Sequence, residues 1–229
     1  MLSKNKIECI VIDIMYIVSI LLVIGTMIYY SSNDADGMTI TNTPPRIMLQ
    51  WRPVITREAQ FIYGINAPIP MFAGQIQQES GGRANITAGD GGMGLTQFMN
   101  GTVKQIVTLY PELGPANPYD GKWAIRAQVR FDDYLYLHVK GKNDCERFAS
   151  ALKGYNAGLG FVQRAQRKSP DPETWFTLTE YIEVGQSEKN MQYSREYSRW
   201  ILFFHQPAYV SWGMPVCIPS YKPIDKFPQ

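Results

Sequence analysis

The sequence predicts a mainly α protein: an N-terminal transmembrane helix followed by a helical domain. Three observations carry this reading. From Ile14 to Tyr30 (IMYIVSILLVIGTMIYY) seventeen residues pass without a charge. From Trp51 to about His205 apolar residues recur mostly at helical spacings, and clear alternating strands are few. With 229 residues, 45% of them hydrophobic and 18% charged, the chain can bury one sizeable core and carry extra segments besides.

The apolar run extends to Ile10 across a single Asp13. At about 1.5 Å per residue, roughly 20 residues cross a ~30 Å hydrocarbon layer. Lys4 and Lys6 precede the run, while Asp34 and Asp36 follow it. The positive-inside bias therefore keeps the N-terminus in the cytoplasm and exports the remainder. Asp13 sits near the cytoplasmic end, where its carboxylate can reach the interface. The run ends in bulky Tyr29 and Tyr30 with no A-x-A pattern, which favours an uncleaved anchor over a signal peptide. Residues 1–30 are thus the cytoplasmic N-terminus and anchor, and Ser/Asn/Asp/Thr-rich residues 31–50, with Pro44-Pro45, read as a linker.

The folded domain is expected over residues 51–206. Trp123, Ala127, Phe131, Tyr134, Leu135 and His138 mark an amphipathic helix within 121–139, and the stretches 145–157 and 191–204 are similarly helix-like. Residues 207–229 hold Pro207, Pro215, Pro219, Pro223 and Pro228, and read as a tail that cannot continue a helix.

Charge and composition exclude several classes. The net charge of +2 recruits no nucleic acid by counterion release. From Arg46 onward twenty bases face sixteen acids, a mild excess that suits an anionic polymer without requiring one. Three cysteines and two scattered histidines make neither a disulfide scaffold nor a structural zinc site, and no metal or cofactor is expected. His138 and His205 read as structural. Cys145 and Cys217 could pair in an oxidising compartment, but sequence supplies no distance between them; Cys9 falls on the other side of the membrane.

Chemistry concentrates between Met71 and Thr102 (MFAGQIQQESGGRANITAGDGGMGLTQFMNGT). A helical run ends in Gln77-Gln78-Glu79-Ser80 and breaks at Gly81-Gly82; a glycine-rich loop follows, and a helix-like segment restarts near Phe98. Glycines let backbone approach a ligand closely. A carboxyl near a helix C-terminus meets the negative end of the dipole, and partial burial raises its pKa further. A Glu held protonated near neutral pH is what a general acid needs. A phosphate loop is excluded, because no Lys-Ser or Lys-Thr follows the glycines.

This segment resembles the catalytic core of lytic transglycosylases of the soluble-transglycosylase (SLT) type, a lysozyme-like superfamily that cleaves peptidoglycan. Glu79-Ser80 matches the family's Glu-Ser pair. Gly94-Leu95-Thr96-Gln97 matches its Gly-Leu-Met-Gln about fifteen residues on, with Thr in place of Met. Phe98-Met99-Asn100-Gly101-Thr102 keeps the family's Met and Thr but lacks its proline. Asp120 to Leu135 is similar to the helix leading to a Tyr-Leu pair, here Tyr134-Leu135. Ala151-Leu152-Lys153-Gly154-Tyr155-Asn156-Ala157-Gly158 follows the second motif. Tyr197-Ser198-Arg199-Trp200-Ile201-Leu202 is a looser third, with Tyr193 a competing register. Together these cover roughly residues 52 to 205.

The resemblance implies a lysozyme-like helical domain that binds peptidoglycan glycan strands. Glu79 would be the single catalytic acid/base; Ser80, Gln97, Met99, Tyr155, Asn156 and Tyr197 would contact substrate, with Tyr155 also placing its hydroxyl near Glu79 and Tyr197 a further partner for the carboxyl. Ala88 stands where the family commonly has a substrate-contacting Ser. The reaction implied cleaves the MurNAc-GlcNAc bond by attack of the MurNAc C6 hydroxyl on its own C1, giving a 1,6-anhydro product. A tethered nucleophile explains why one carboxyl suffices. A goose-type muramidase using water is the rival, and Asp90 its candidate second acid, although Gly89 and Gly91 make it a turn residue. A glycan-binding structural component without turnover is the third reading. Expected partners are glycan strands, a lipid membrane through the N-terminal helix, and virion or secretion-complex proteins. The expected setting is a single-pass membrane protein with its catalytic domain in the periplasm, or one anchored in a viral membrane.

Overall fold

The computed structural model describes residues 43–186 and 188–217. The expected membrane segment and the last residues of the tail lie outside these. Among the described residues no helix is long and apolar enough to cross a membrane.

Eight α-helices appear among the described residues: α1 (Arg46–Leu49), α2 (Arg52–Tyr63), α3 (Ile69–Ser80), α4 (Asn100–Leu109), α5 (Gly121–Leu137), α6 (Asp144–Ala157), α7 (Leu159–Lys168) and α8 (Glu188–Arg199). The chain then continues as a π-helical stretch, Trp200–His205, and a 3-10 helix, Gln206–Trp212. Only isolated β-bridges occur among the described residues: Thr87 with Met93, and Met93 with Phe98.

Helix ends follow local chemistry. Asp120 caps α5 by accepting from the backbone N–H of Lys122, and Asn143 caps α6 by accepting from that of Glu146. Pro70 occupies the first turn of α3, where its missing N–H costs no helical bond. Gly81 ends that helix in the left-handed conformation (φ +62°), which a side chain at that position would resist.

The core runs the length of α5, whose Trp123, Ala124, Ile125, Ala127, Val129, Phe131 and Leu135 are all buried. Around it pack Phe72 and Ile76 of α3, Ile55 of α2, Phe148 and Leu152 of α6, and Leu95 and Phe98 of the loop between α3 and α4. Two of the buried acids find partners across the fold. Glu58 meets Arg130 at 3.1 Å, and the Glu146 carboxylate accepts from the backbone N–H groups of Trp175 and Phe176, both at 2.8 Å.

Two expected boundaries move. Residues 46–49, placed in the linker, form α1, because Met48 is fully buried in the core. Pro207, read as the start of a tail, sits in the first turn of the 3-10 helix, where it is tolerated. Ala208, Tyr209 and Trp212 are buried beyond it. A disulfide between Cys145 and Cys217, 72 residues apart, ties this C-terminal segment to the start of α6. Residues 206–217 therefore belong to the packed domain.

Candidate active site

Glu79 is the penultimate residue of α3, at the floor of a cleft also lined by Asp90, Gln97, Met99, Tyr155, Asn156 and Tyr197. The cleft lies where the glycine-rich loop after α3 faces the C-terminal ends of α6 and α8. Its position follows from the Gly81 stop: the helix ends just as its carboxyl reaches the loop.

Burial pushes the Glu79 carboxyl up to about 8. The Tyr197 hydroxyl, which donates to Glu79 Oε1, pulls the other way, and the negative charge of Asp90 adds a smaller upward push. At neutral pH the carboxyl is therefore protonated and can donate a proton into the cleft.

The loop that forms the other wall is held tightly. The Gly94 N–H donates to Ile86 O at 2.8 Å, and at φ +67° a Cβ would stand 1.9 Å from the carbonyl oxygen of Pro118. Thr87 and Tyr119 share a 2.8 Å hydroxyl contact across the same seam. Gln97 adopts the left-handed conformation (φ 50°, ψ 37°), uncommon for a residue with a side chain. Its amide donates to Gly94 O at 2.6 Å, and the residue lines the cleft. Met99 is 45% exposed beside it.

Some expected roles are filled differently. The Tyr155 hydroxyl donates to Thr96 O at 2.7 Å and thus braces the loop; it is Tyr197 that binds Glu79. The Tyr155 ring packs on Phe98 and Phe131, with centroids at 5.4 and 5.9 Å, which fixes where its hydroxyl can reach. Ser80 is buried at 2% exposure. Its hydroxyl donates to Ile76 O and accepts from the Gly82 N–H, so it closes the helix end and does not line the cleft. Asp90 does line it, while its Oδ1 accepts from the Gly92 N–H as a turn residue would.

Gln78, not singled out from sequence, also lines the cleft. His205 holds it: burial lowers the imidazole to about 4, leaving it neutral, and Nε2 meets Gln78 Oε1 at 2.8 Å. The neighbouring Gln77 accepts from the Tyr209 hydroxyl at 2.5 Å. Adjacency to Glu79 was the signal available for both glutamines, but their partners lie 127 and 132 residues away. His138 is remote from this chemistry, with Nδ1 at 2.6 Å from Tyr134 O. Among the described residues no group of three His, Cys, Asp or Glu side chains could hold a metal ion.

A search of curated proteins finds no match to this chain. Among solved structures it is similar to the 70 kDa soluble lytic transglycosylase of Escherichia coli. The TM-score is 0.52 at 20% sequence identity, over 72% of this chain and 25% of that one. The chain thus spans about a quarter of that protein's length, and the likeness is one of fold. The model of the family described as "Transglycosylase SLT domain" matches residues 58–177, which include Glu79, Gln97, Met99, Tyr155 and Asn156 but not Tyr197. Since that match covers just over half of the sequence, the chain belongs to the transglycosylase SLT domain family.

Proposed function

We propose that this protein is a membrane-anchored peptidoglycan lytic transglycosylase with Glu79 as its acid/base. The observation that carries this is one buried carboxyl, raised by burial to about 8 and bonded to Tyr197, in a cleft that Gln78, Gln97, Met99 and Asn156 also line. Glu79 gives its proton to the oxygen linking MurNAc C1 to GlcNAc C4, and that C1–O bond breaks. The C1 centre becomes oxocarbenium-like, and GlcNAc leaves with a free C4 hydroxyl. Glu79, now a carboxylate steadied by the Tyr197 O–H, takes the proton from the MurNAc C6 hydroxyl as its oxygen bonds to C1. The acid is restored and the product carries a 1,6-anhydro ring, with no water consumed. The nucleophile arrives attached to the substrate, so a high effective molarity replaces the work of a second carboxylate.

The anchor is residues 14–30, with the N-terminus in the cytoplasm and the domain exported. The Cys145–Cys217 disulfide supports an oxidising location. Such a protein would open the wall locally, for a phage or for a secretion or conjugation apparatus.

The test is mass spectrometry of muropeptides released from peptidoglycan by the full chain in detergent, beside Glu79→Gln. Products ending in 1,6-anhydro-MurNAc, absent with the variant, are expected. Reducing ends that take up oxygen from labelled water would make the enzyme a hydrolase and bring Asp90 forward. Binding of glycan without release would leave a structural wall-binding protein.

A further inference from the structure

One buried polar cluster takes no part in the reaction above. Asp132 of α5 is 1% exposed, and Gln128, one turn earlier on that helix, is fully buried. Facing them is Gln75 of α3, also fully buried and one turn before Glu79. Gln128 Nε2 donates to Gln75 Oε1 at 2.7 Å, and Gln75 Nε2 donates to Asp132 Oδ1 at 3.4 Å. Two atoms of the cluster remain unsatisfied: Gln128 Oε1 and Asp132 Oδ2.

These two orphans define what is missing. An amide oxygen only accepts, and so does an ionised carboxylate, so with Asp132 charged both stay unpaired in the interior at considerable cost. Asp132 and Gln128 stand one turn apart on α5 and both bond the same Gln75 amide, which brings their side chains together. One proton on Oδ2 turns an acceptor into a donor and satisfies both atoms together. We propose that Asp132 is a neutral carboxylic acid whose Oδ2–H donates to Gln128 Oε1, closing a ring of three side-chain hydrogen bonds that positions Glu79. Donation runs one way around the ring, from Gln128 to Gln75, from Gln75 to Asp132, and from Asp132 back to Gln128. Such head-to-tail chains polarise one another.

The surroundings fit a retained proton. Burial pushes the Asp132 carboxyl well above the usual carboxylate range against the opposing pull of the Gln75 and Gln128 amides, and Glu79 on α3 and Asp133 on α5 push it up further whenever they are ionised. The remaining titratable neighbours are tyrosines: Tyr63 of α2, Tyr155 of α6 and Tyr197 of α8. Asp132 is a positioning residue. It acts through Gln75 on the helix that presents Glu79, and it keeps the space behind Glu79 uncharged when that carboxyl gives up its proton.

The catalytic consequence rests on Glu79 as acid/base; the ring does not, and the first measurement needs no turnover. Difference infrared spectra of the full chain in detergent compare Glu79→Gln with Glu79→Gln/Asp132→Asn at neutral pH. A carboxylic-acid carbonyl band present in the first and lost in the second is expected; no such difference overturns the proposal, whatever the activity. The second measurement is the pH profile of kcat/KM on peptidoglycan. Asp132→Asn supplies an N–H donor and an oxygen acceptor in place of the acid, so its alkaline limb stays at the wild-type position. A limb moved down by about one unit or more would mean that a buried negative charge had been removed, and would sink the idea. Asp132→Leu leaves Gln75 Nε2 and Gln128 Oε1 without partners and lowers kcat at least about tenfold.

Discussion

The hydroxyl of Tyr197 donates to the carboxyl of Glu79 across 118 residues of chain. It joins the end of α3 to α8, and the neighbouring Ser198 fixes the register by donating to Ala149 O of α6 at 2.8 Å. Such a bond favours the ionised carboxylate, so it moderates the rise that burial imposes on Glu79.

Tyr197→Phe removes that moderation. The Glu79 carboxyl then stays protonated to higher pH, and the alkaline limb of kcat/KM moves upward. The carboxylate formed during turnover also loses its donor, so kcat falls roughly 10–100-fold. An alkaline limb that moves down instead would contradict the bond as drawn.

Glu79 also links pH to stability. Its pKa rises from 4.5 in the unfolded chain to about 8 in the fold, so between these values the folded protein binds more protons. The associated stability is full below pH 4.5 and is lost as pH rises through about 8. Glu79→Gln carries no such dependence. It should melt above wild type at pH 9, by a few kcal/mol at most, and close to it at pH 4; thermal melts at both values check this.

Gly94→Ala places a methyl where the Pro118 carbonyl oxygen stands 1.9 Å away, at a backbone φ that side chains resist. A loss of about 3 kcal/mol or more is expected. Denaturant titration would measure it, and activity should fall with it because Gln97 leans on the Gly94 carbonyl.

Reducing the Cys145–Cys217 disulfide, or replacing Cys145 by Ser, frees a loop of about 72 residues and should cost about 2–4 kcal/mol. The segment it secures carries His205 and Tyr209, which hold Gln78 and Gln77 beside Glu79. Activity should therefore decline at temperatures below global unfolding. Parallel melting and turnover curves, with and without reductant, separate the two effects.

Much of the site was legible because its signals are local. Gly81 stops a helix within two residues of Glu79, and the Gly94 to Gln97 turn follows in the same loop. Helical spacing marked α5 to within two residues of its end. At Tyr155, where the reading departed from the structure, the deciding contact was distant in sequence. The Tyr155 hydroxyl reaches Thr96 because its ring is wedged between Phe98 and Phe131. At Ser80 the reason is local: its hydroxyl is taken up by Ile76 O and the Gly82 N–H at the end of its own helix.

The sequence by itself determined the helical class, the family motifs and the carboxyl that ends α3, since periodicity and stop signals act over a few residues. Only the tertiary structure decided which tyrosine binds that carboxyl, that Cys145 meets Cys217, and that Asp132 lies beneath the site with Gln75 and Gln128. Those facts depend on how whole helices pack. A pKa depends on what surrounds a group in space, and at Glu79 burial outweighs every nearer neighbour in the chain.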